Sequence, residues 1–146
     1  MLSKKSKYSI KALVYLAREY DKGPVLISHI SESEHIPKKF LEAILLELKN
    51  AGILGSKKGF GGGYYLIKKP EDVKLTQVIR LTNGPIALLP CVSLNFYQRC
   101  EECVDEKTCG ISQVAMQVRD ATLAILENTS ISDVLKKEQT PAKNRK

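Results

Sequence analysis

The chain has 146 residues, of which 43% are hydrophobic, and this is enough for one domain with a core or one domain plus a dimerisation element. No apolar stretch is long enough to cross a membrane, and the first residues interleave lysines with apolar residues, unlike a signal peptide. We therefore expect a cytoplasmic protein. The net charge is +7, and residues 1–69 carry thirteen Lys or Arg against six Asp or Glu. Such a one-sided excess indicates a polyanionic partner.

The spacing of apolar residues predicts three helices in the first fifty positions. The first helix covers about residues 3–20. A short extended piece at residues 25–27 precedes the second helix, which Ser28 is expected to cap. Pro37 fits the first turn of the third helix. The side chains predicted to face inward from this third helix are Phe40, Leu41, Ile44, Leu45 and Leu48.

A glycine-rich run at residues 59–63 predicts the turn of a β-hairpin, with strands near residues 53–55 and 64–67. Two helices joined by a tight turn and followed by such a hairpin form a winged helix-turn-helix, which we place in residues 1–84. The predicted fold class is mainly α with a small β-hairpin wing, plus a long C-terminal dimerisation helix.

The third helix is predicted to read DNA. In a helix-turn-helix, the first exposed residues of the second helix of the motif face the base edges. Here those residues are Lys38, Lys39 and Glu42. Lysine can reach a phosphate or a guanine, and glutamate can accept a hydrogen bond from cytosine N4. Glu42 has an alternative role as a surface residue that pairs with one of the two lysines.

The wing is predicted to contact the DNA backbone. Its lysines can neutralise phosphates, and its glycines let the hairpin tip approach a groove. We weigh two roles for Phe60, a wedge against a sugar and a cover for the hairpin, and we favour the cover. The predicted contact residues of the wing are Lys57, Lys58, Gly59, Phe60, Gly61 and Gly62.

The second half of the chain predicts three more helices. A short helix covers residues 75–81, and residues 85–110 read as a loop because they lack periodicity. Residues 111–137 hold a long helix and a short terminal one, and the polar residues 138–146 are expected to form a disordered tail. The long helix has a narrow seam, which indicates pairing with a second subunit rather than packing on its own domain. This seam consists of Ile111, Val114, Ala115, Val118, Thr122, Ile125 and Leu126.

The loop holds all four cysteines of the chain within nineteen residues, spaced Cys91-x8-Cys100-x2-Cys103-x5-Cys109. Thiolates are ligands for zinc and for iron–sulfur clusters. The series lacks the second Cys-x2-Cys pair that would favour zinc. The carboxylates between the cysteines disfavour reactive thiolates, while a bound metal would offset them. We place an iron–sulfur cluster first, ahead of zinc, thiol chemistry and no cofactor.

Residues 3–13, the wing at residues 58–66 and the cysteine loop before a long helix resemble those of a known family. It comprises the bacterial winged-helix regulators that include IscR, NsrR and CymR. The resemblance covers about residues 2–135. It implies a homodimer, held by the long C-terminal helix, that binds a roughly palindromic operator in double-stranded DNA. It also implies a regulator rather than an enzyme, and we find no catalytic constellation in the sequence.

The resemblance further implies that cysteines of the loop hold a cluster. Cys103 and Cys109 match the last two cysteines of the family pattern, Cys91 matches the first, and Cys100 is additional. The histidine and the N-terminal carboxylate that other members use are both replaced here. An all-cysteine site is then the simplest completion, with [2Fe–2S] and [4Fe–4S] both open.

We therefore interpret the chain as a homodimeric DNA-binding regulator whose operator affinity is switched by an iron–sulfur cluster in the loop from Cys91 to Cys109. One alternative is a DNA-binding regulator with zinc or without a cofactor. Another is a small redox protein that uses the cysteines for thiol chemistry or electron transfer. The lysines of the wing argue against the redox protein.

Overall fold

The computed structural model describes residues 2–140 and 142. Strands β1 (Leu54–Lys57) and β2 (Gly63–Leu66) form an antiparallel hairpin, with Leu54 opposite Leu66. The fold is mainly α with a small hairpin wing, as the sequence predicts. No helix in this part of the chain has the length and hydrophobicity to span a bilayer. The helices are α1 (Lys4–Arg18), α2 (Ile27–Glu34), α3 (Lys38–Asn50), α4 (Leu75–Thr82), α5 (Gly110–Glu127) and α6 (Ile131–Gln139).

The core lies between α1, α2 and α3 and extends beneath the hairpin. Ser3 caps α1 by accepting a hydrogen bond from the Ser6 amide at 3.1 Å. Ser6 in turn shares a buried 2.6 Å hydrogen bond with Thr82 at the end of α4. This contact ties the fourth helix to the first. The largest fully buried side chains are Leu13, Leu16, Ile30, Ile36, Leu41, Ile44, Leu45, Leu48, Ile53, Leu54 and Ile131.

The start of α2 differs from the prediction. The helix begins at Ile27, so Ser28 lies inside it and does not cap it. The extended piece is reduced to Val25, whose N–H and C=O each bond to the backbone of Tyr64 at 2.8 Å. This backbone pairing fixes the chain beside the wing and lets the helix begin two residues later.

Phe40 is the one predicted inward side chain of α3 that does not enter the core. It is 38% exposed, because its position lies at the edge of the buried face. Its ring stands nearly perpendicular to that of Tyr8, with the two centroids 5.6 Å apart. The pair covers the junction of α1 and α3.

The last helix extends further than predicted. Ser130 and Asp133 form a reciprocal capping box at its start, in which the Asp133 amide donates to the Ser130 hydroxyl at 3.1 Å. Glu138 pairs with Arg18 of α1, and the helix therefore continues to Gln139. The disordered tail was predicted to begin at residue 138, but residues 138 and 139 belong to this helix. Its remaining residues 141 and 143–146 lie outside the described residues.

The cysteine segment is irregular, as predicted, but it contains two short 3-10 turns at Pro90–Val92 and Glu106–Thr108. Helix α5 starts at Gly110, one residue earlier than expected. Arg119 of α5 donates a 2.7 Å hydrogen bond to the carbonyl oxygen of Val92. This bond anchors the beginning of the segment to the middle of the long helix.

Candidate metal centre and nucleic-acid interface

All four cysteines line one cavity of about 410 Å³ at the N-terminal end of α5. Each is half-buried and none forms a disulfide. The sulfur atoms of Cys91 and Cys100 lie 3.8 Å apart, although nine positions separate them in the chain. Apolar side chains complete one side of the cavity, and the remaining wall is acidic. These lining residues are Leu89, Val104 and Ile111 on the apolar side and Glu102, Asp105 and Glu106 on the acidic side.

The arrangement of the thiols bears on what they could hold. Within residues 2–140 and 142, no three His, Cys, Asp or Glu side chains converge closely enough to bind a single metal ion. The cysteines instead surround a space, and their sulfur atoms are soft donors suited to iron–sulfur clusters. Four cysteines are a donor set that both iron–sulfur clusters and tetrahedral zinc accept.

The thiol of Cys100 is biased toward its protonated form. Cys100 donates a hydrogen bond to Cys91, and this bond raises the pKa of the Cys100 thiol above its ordinary value. Desolvation and the charge of Glu102 act in the same direction. Because the thiolate is the nucleophile, the Cys100 thiol is poorly suited to redox catalysis until a positive centre stabilises its thiolate.

Most hydrogen bonds within the cysteine segment join residues two to four positions apart. Tyr97 donates to Glu106, which links the two sides of the segment and raises the pKa of the Tyr97 phenol. The amide of Cys103 donates to the carbonyl oxygen of Cys100 at 3.3 Å. Only three hydrogen bonds within this described segment join residues more than four positions apart, so a group bound by all four cysteines could change how its turns are arranged.

Three charged residues near the start of α3 are exposed, as a contact with DNA would require. Lys38, Lys39 and Glu42 are all exposed. In the described part of the chain, none of the three takes part in an ion pair, so the alternative pairing of Glu42 with a lysine is not observed. Their charged groups are therefore able to contact a ligand.

The wing corrects two predictions. Phe60 is fully exposed at the tip, so it does not cover the hairpin as we favoured. The flanking Gly59 and Gly61 have positive φ angles of 89° and 72° and turn the chain tightly. The Phe60 ring therefore has no neighbouring surface of the hairpin to pack against. Gly62 is buried at the base of the turn and donates to the Gly59 carbonyl oxygen at 3.0 Å, which argues for a structural role rather than a DNA contact. Lys57 is exposed beside them.

The predicted seam of α5 is divided between two faces. Ala115 is buried, and Thr122 and Leu126 are half-buried and line a groove against residues 83–88 of the same chain, which Val118 borders from its exposed position. The other seam residues are between 39% and 72% exposed in the single chain, at spacings that put them on one stripe. This exposed stripe consists of Ile111, Val114, Val118 and Ile125.

Comparison with known proteins decides the family. The model of the Rrf2 family, described as an iron-dependent transcriptional regulator, matches residues 2–137. This chain belongs to the Rrf2 family. An rrf2-like HTH-type transcriptional regulator of Rhodobacter capsulatus is 40% identical over 138 residues, which cover 92% of each chain.

Two solved structures share the Rrf2 fold of this chain. T. potens IscR is 25% identical, with a TM-score of 0.75, and the match covers 99% of this chain and 93% of that one. CymR of B. subtilis, the global cysteine regulator, is 24% identical with a TM-score of 0.77, covering 93% and 96%. The resemblance inferred from the wing and the cysteine loop is confirmed. This Rrf2 protein is a DNA-binding transcriptional regulator and not an enzyme.

One further exposed residue of α3 is not singled out by the sequence prediction. Leu46 is 50% exposed on α3, four positions after Glu42 and seven after Lys39. Its spacing from these two charged residues was the available signal, because residues three, four and seven apart share a helix face.

Proposed function

We propose that this protein is a homodimeric regulator whose affinity for a roughly palindromic DNA operator depends on an iron–sulfur cluster held by Cys91, Cys100, Cys103 and Cys109. The observation that carries this proposal is the cavity at the start of α5, which all four thiols line. The protein would act in the cytoplasm, where thiols stay reduced.

The chain itself offers a route from the cysteine segment to the DNA-reading helix. When bound, the cluster supplies bonds to thiolates that are far apart in the sequence. The segment is anchored to α5 by the bond from Arg119 to Val92. Helix α5 packs on α4, α4 packs on α1, and α1 packs on α3. A change in the order of the segment can therefore bias the placement of the reading helix.

The exposed stripe of α5 supplies the proposed dimer contact. Large apolar side chains in a row on one helix are costly to leave in water, and a second copy would bury them. A two-fold dimer presents two reading helices to successive major grooves, so a small rotation between subunits is enough to change operator affinity. Lys38, Lys39 and Glu42 would face the base edges, and Lys57 and Lys58 the phosphates.

The wing tip contributes a further DNA contact in this proposal. With its ring fully exposed between two glycines, Phe60 is free to lie against a sugar or at the edge of the minor groove. Gly59 and Gly61 allow that approach, since they add no side chain at the tip.

The proposal is tested on protein purified without oxygen. The visible absorption spectrum is recorded, and iron, acid-labile sulfide and zinc are assayed on the same sample. A brown protein with matched iron and sulfide is expected, and the shape of its bands separates two-iron from four-iron clusters. A colourless protein that contains zinc, or no metal, would support the cofactor alternatives.

Single substitutions then define the ligands. Cys103→Ser and Cys109→Ser are expected to abolish the absorption and the bound iron. Cys100→Ser decides whether the additional cysteine is the fourth ligand, because it retains the cluster only if another group completes the site. Ser112→Ala, at the cavity wall, is the matched control and should keep full iron content.

A further inference from the structure

Leu46 stands at the centre of the exposed face of α3. The helix buries Leu41, Ile44, Leu45 and Leu48, and at 100° per residue Leu46 points away from the middle of that buried face. Its side chain is 50% exposed, and Ala43 beside it is also exposed. Together they form one wall of a shallow apolar groove that Leu81 of α4 closes.

The charges around this apolar spot point to its ligand. Lys39 lies on the same face two turns before Leu46 and Glu42 one turn before it, and Lys49 is exposed one turn later. A leucine flanked by Lys39, Glu42 and Lys49, with Glu47 beside it in the groove, is poorly placed to bind an apolar protein surface, since docking there would remove these charges from water. Leu46 is better placed to contact a polyanion that also presents apolar groups.

B-DNA displays one such apolar group in its major groove, the C5-methyl group of thymine. A helix advances about 1.5 Å per residue and B-DNA about 3.4 Å per base pair, so Leu46 would lie about two base-pair steps from the bases that Glu42 would reach and about three from those that Lys39 would reach. We propose that Leu46, with Ala43, forms an apolar subsite that binds the C5-methyl group of a thymine in the operator.

This inference rests on the proposed placement of α3 in the major groove, and it adds a base preference to that placement. The charged residues at the start of the helix set register and read polar base edges. Leu46 reads a group without hydrogen-bonding capacity, so it distinguishes thymine from cytosine and from uracil at one position of each half-site.

The test uses a duplex selected from a random-sequence pool by the wild-type protein under anaerobic conditions. Each thymine of the selected duplex is replaced in turn by deoxyuridine, which removes only the methyl group, and binding is measured by fluorescence anisotropy at fixed salt. We expect a loss of about fourfold at one thymine in each half-site, the change that corresponds to burying one methyl-sized group. Replacements elsewhere should have little effect.

The variants assign that loss to the side chain. Leu46→Ala should bind the thymine and deoxyuridine duplexes equally, while Leu46→Met should keep the preference because methionine is also long and apolar. Leu26→Ala removes a leucine of matched exposure, 48%, from outside the reading helix and should keep the preference as well. Circular dichroism checks that each variant is folded.

Two results would overturn the inference. One is a selected duplex in which no thymine responds to deoxyuridine, and the other is an unchanged thymine preference in Leu46→Ala. A wrong placement of α3 in the major groove would give a different result. In that case Lys39→Ala and Glu42→Ala would both leave sequence-specific binding of the selected duplex unaltered.

Discussion

Gly62 shows how tightly the base of the wing is packed. A methyl group added there would lie 2.2 Å from the carbonyl oxygen of Lys57 and 2.8 Å from that of Gly59. Both neighbours are backbone atoms, which cannot rotate away. We expect Gly62→Ala to destabilise the protein by about 1–3 kcal/mol, as overpacking does, and to weaken DNA binding by moving Lys57. Chemical denaturation and a binding titration measure the two effects.

A second glycine provides the control for this prediction. Gly110 begins α5, has no neighbour within 4 Å of an added methyl group, and so tolerates alanine. Gly110→Ala should leave the free energy of unfolding unchanged or slightly raise it. If both alanine variants unfold alike, the close contact at Gly62 is not what the wing depends on.

Individual side chains were the hardest feature to predict from the sequence. Phe60 and Phe40 were both expected to be covered, and both are exposed. Aromatic side chains tend to be buried, but their exposure depends on whether the surrounding structure provides a surface to pack against. At the wing tip the two glycines provide no such surface for Phe60, and Phe40 lies where the face of its helix turns away from the core. Leu46 was overlooked because a leucine within an apolar pattern gives no sign of which face it occupies.

The start of α6 gives a prediction about pH at the scale of one element. The backbone amide and the hydroxyl of Ser130 both donate to the Asp133 carboxylate at 2.9 Å, and these hydrogen bonds lower the pKa of Asp133. A folded pKa below the unfolded value of about 3.9 stabilises the protein above that value. The contribution should be complete above about pH 5 and lost as the pH falls through the folded pKa of Asp133.

Thermal unfolding of the wild type and Asp133→Ala between pH 7 and pH 3 measures this contribution. The difference in stability should be constant near neutral pH and shrink toward zero in acid. Ser130→Ala keeps the carboxylate but removes one donor, so it should retain part of the pH dependence and lose about 1 kcal/mol from the missing cap. A difference that stays constant down to pH 3 would show that the carboxylate is not ionised preferentially in the folded state.

Helix α5 presents three faces, and its exposed apolar stripe gives the second prediction at this scale. Val118→Glu would place a carboxylate, and its symmetry mate, in the proposed dimer contact at a cost of about 3 kcal/mol or more. We expect this variant to be monomeric and folded, because the side chain is already 39% exposed in the single chain. Sedimentation or light scattering measures the change.

Ala124→Glu is the matched control on the opposite, polar side of α5, where the residue is also exposed. It should remain dimeric. A dimeric Val118→Glu protein would place the dimer contact elsewhere and contradict the role of the stripe. The sequence predicted one seam that combined the exposed stripe with Ala115, Thr122 and Leu126. An exposed apolar stripe and an inward apolar face can lie only one residue apart along a helix, so the spacing of apolar residues does not separate them.

At the scale of the whole molecule, the order of elements was predictable and their contacts were not. Helical spacing, Pro37 and the glycine run predicted the winged helix-turn-helix. The position of the cysteines in one loop likewise predicted a shared site. The 3.8 Å approach of Cys91 to Cys100 and the anchoring of the loop by Arg119 could not be predicted, because an irregular segment has no periodicity from which to place its side chains.

The central claim is that the group held by the cysteines changes operator affinity. The most direct test compares cluster-loaded and apo protein on the same operator duplex, anaerobically and at one salt concentration, since salt alone changes DNA affinity. Iron and sulfide assays establish the loading of each sample. We predict dissociation constants that differ by at least about fivefold, the lower range of allosteric coupling. Equal affinities of a fully loaded and a fully apo sample would contradict the switch.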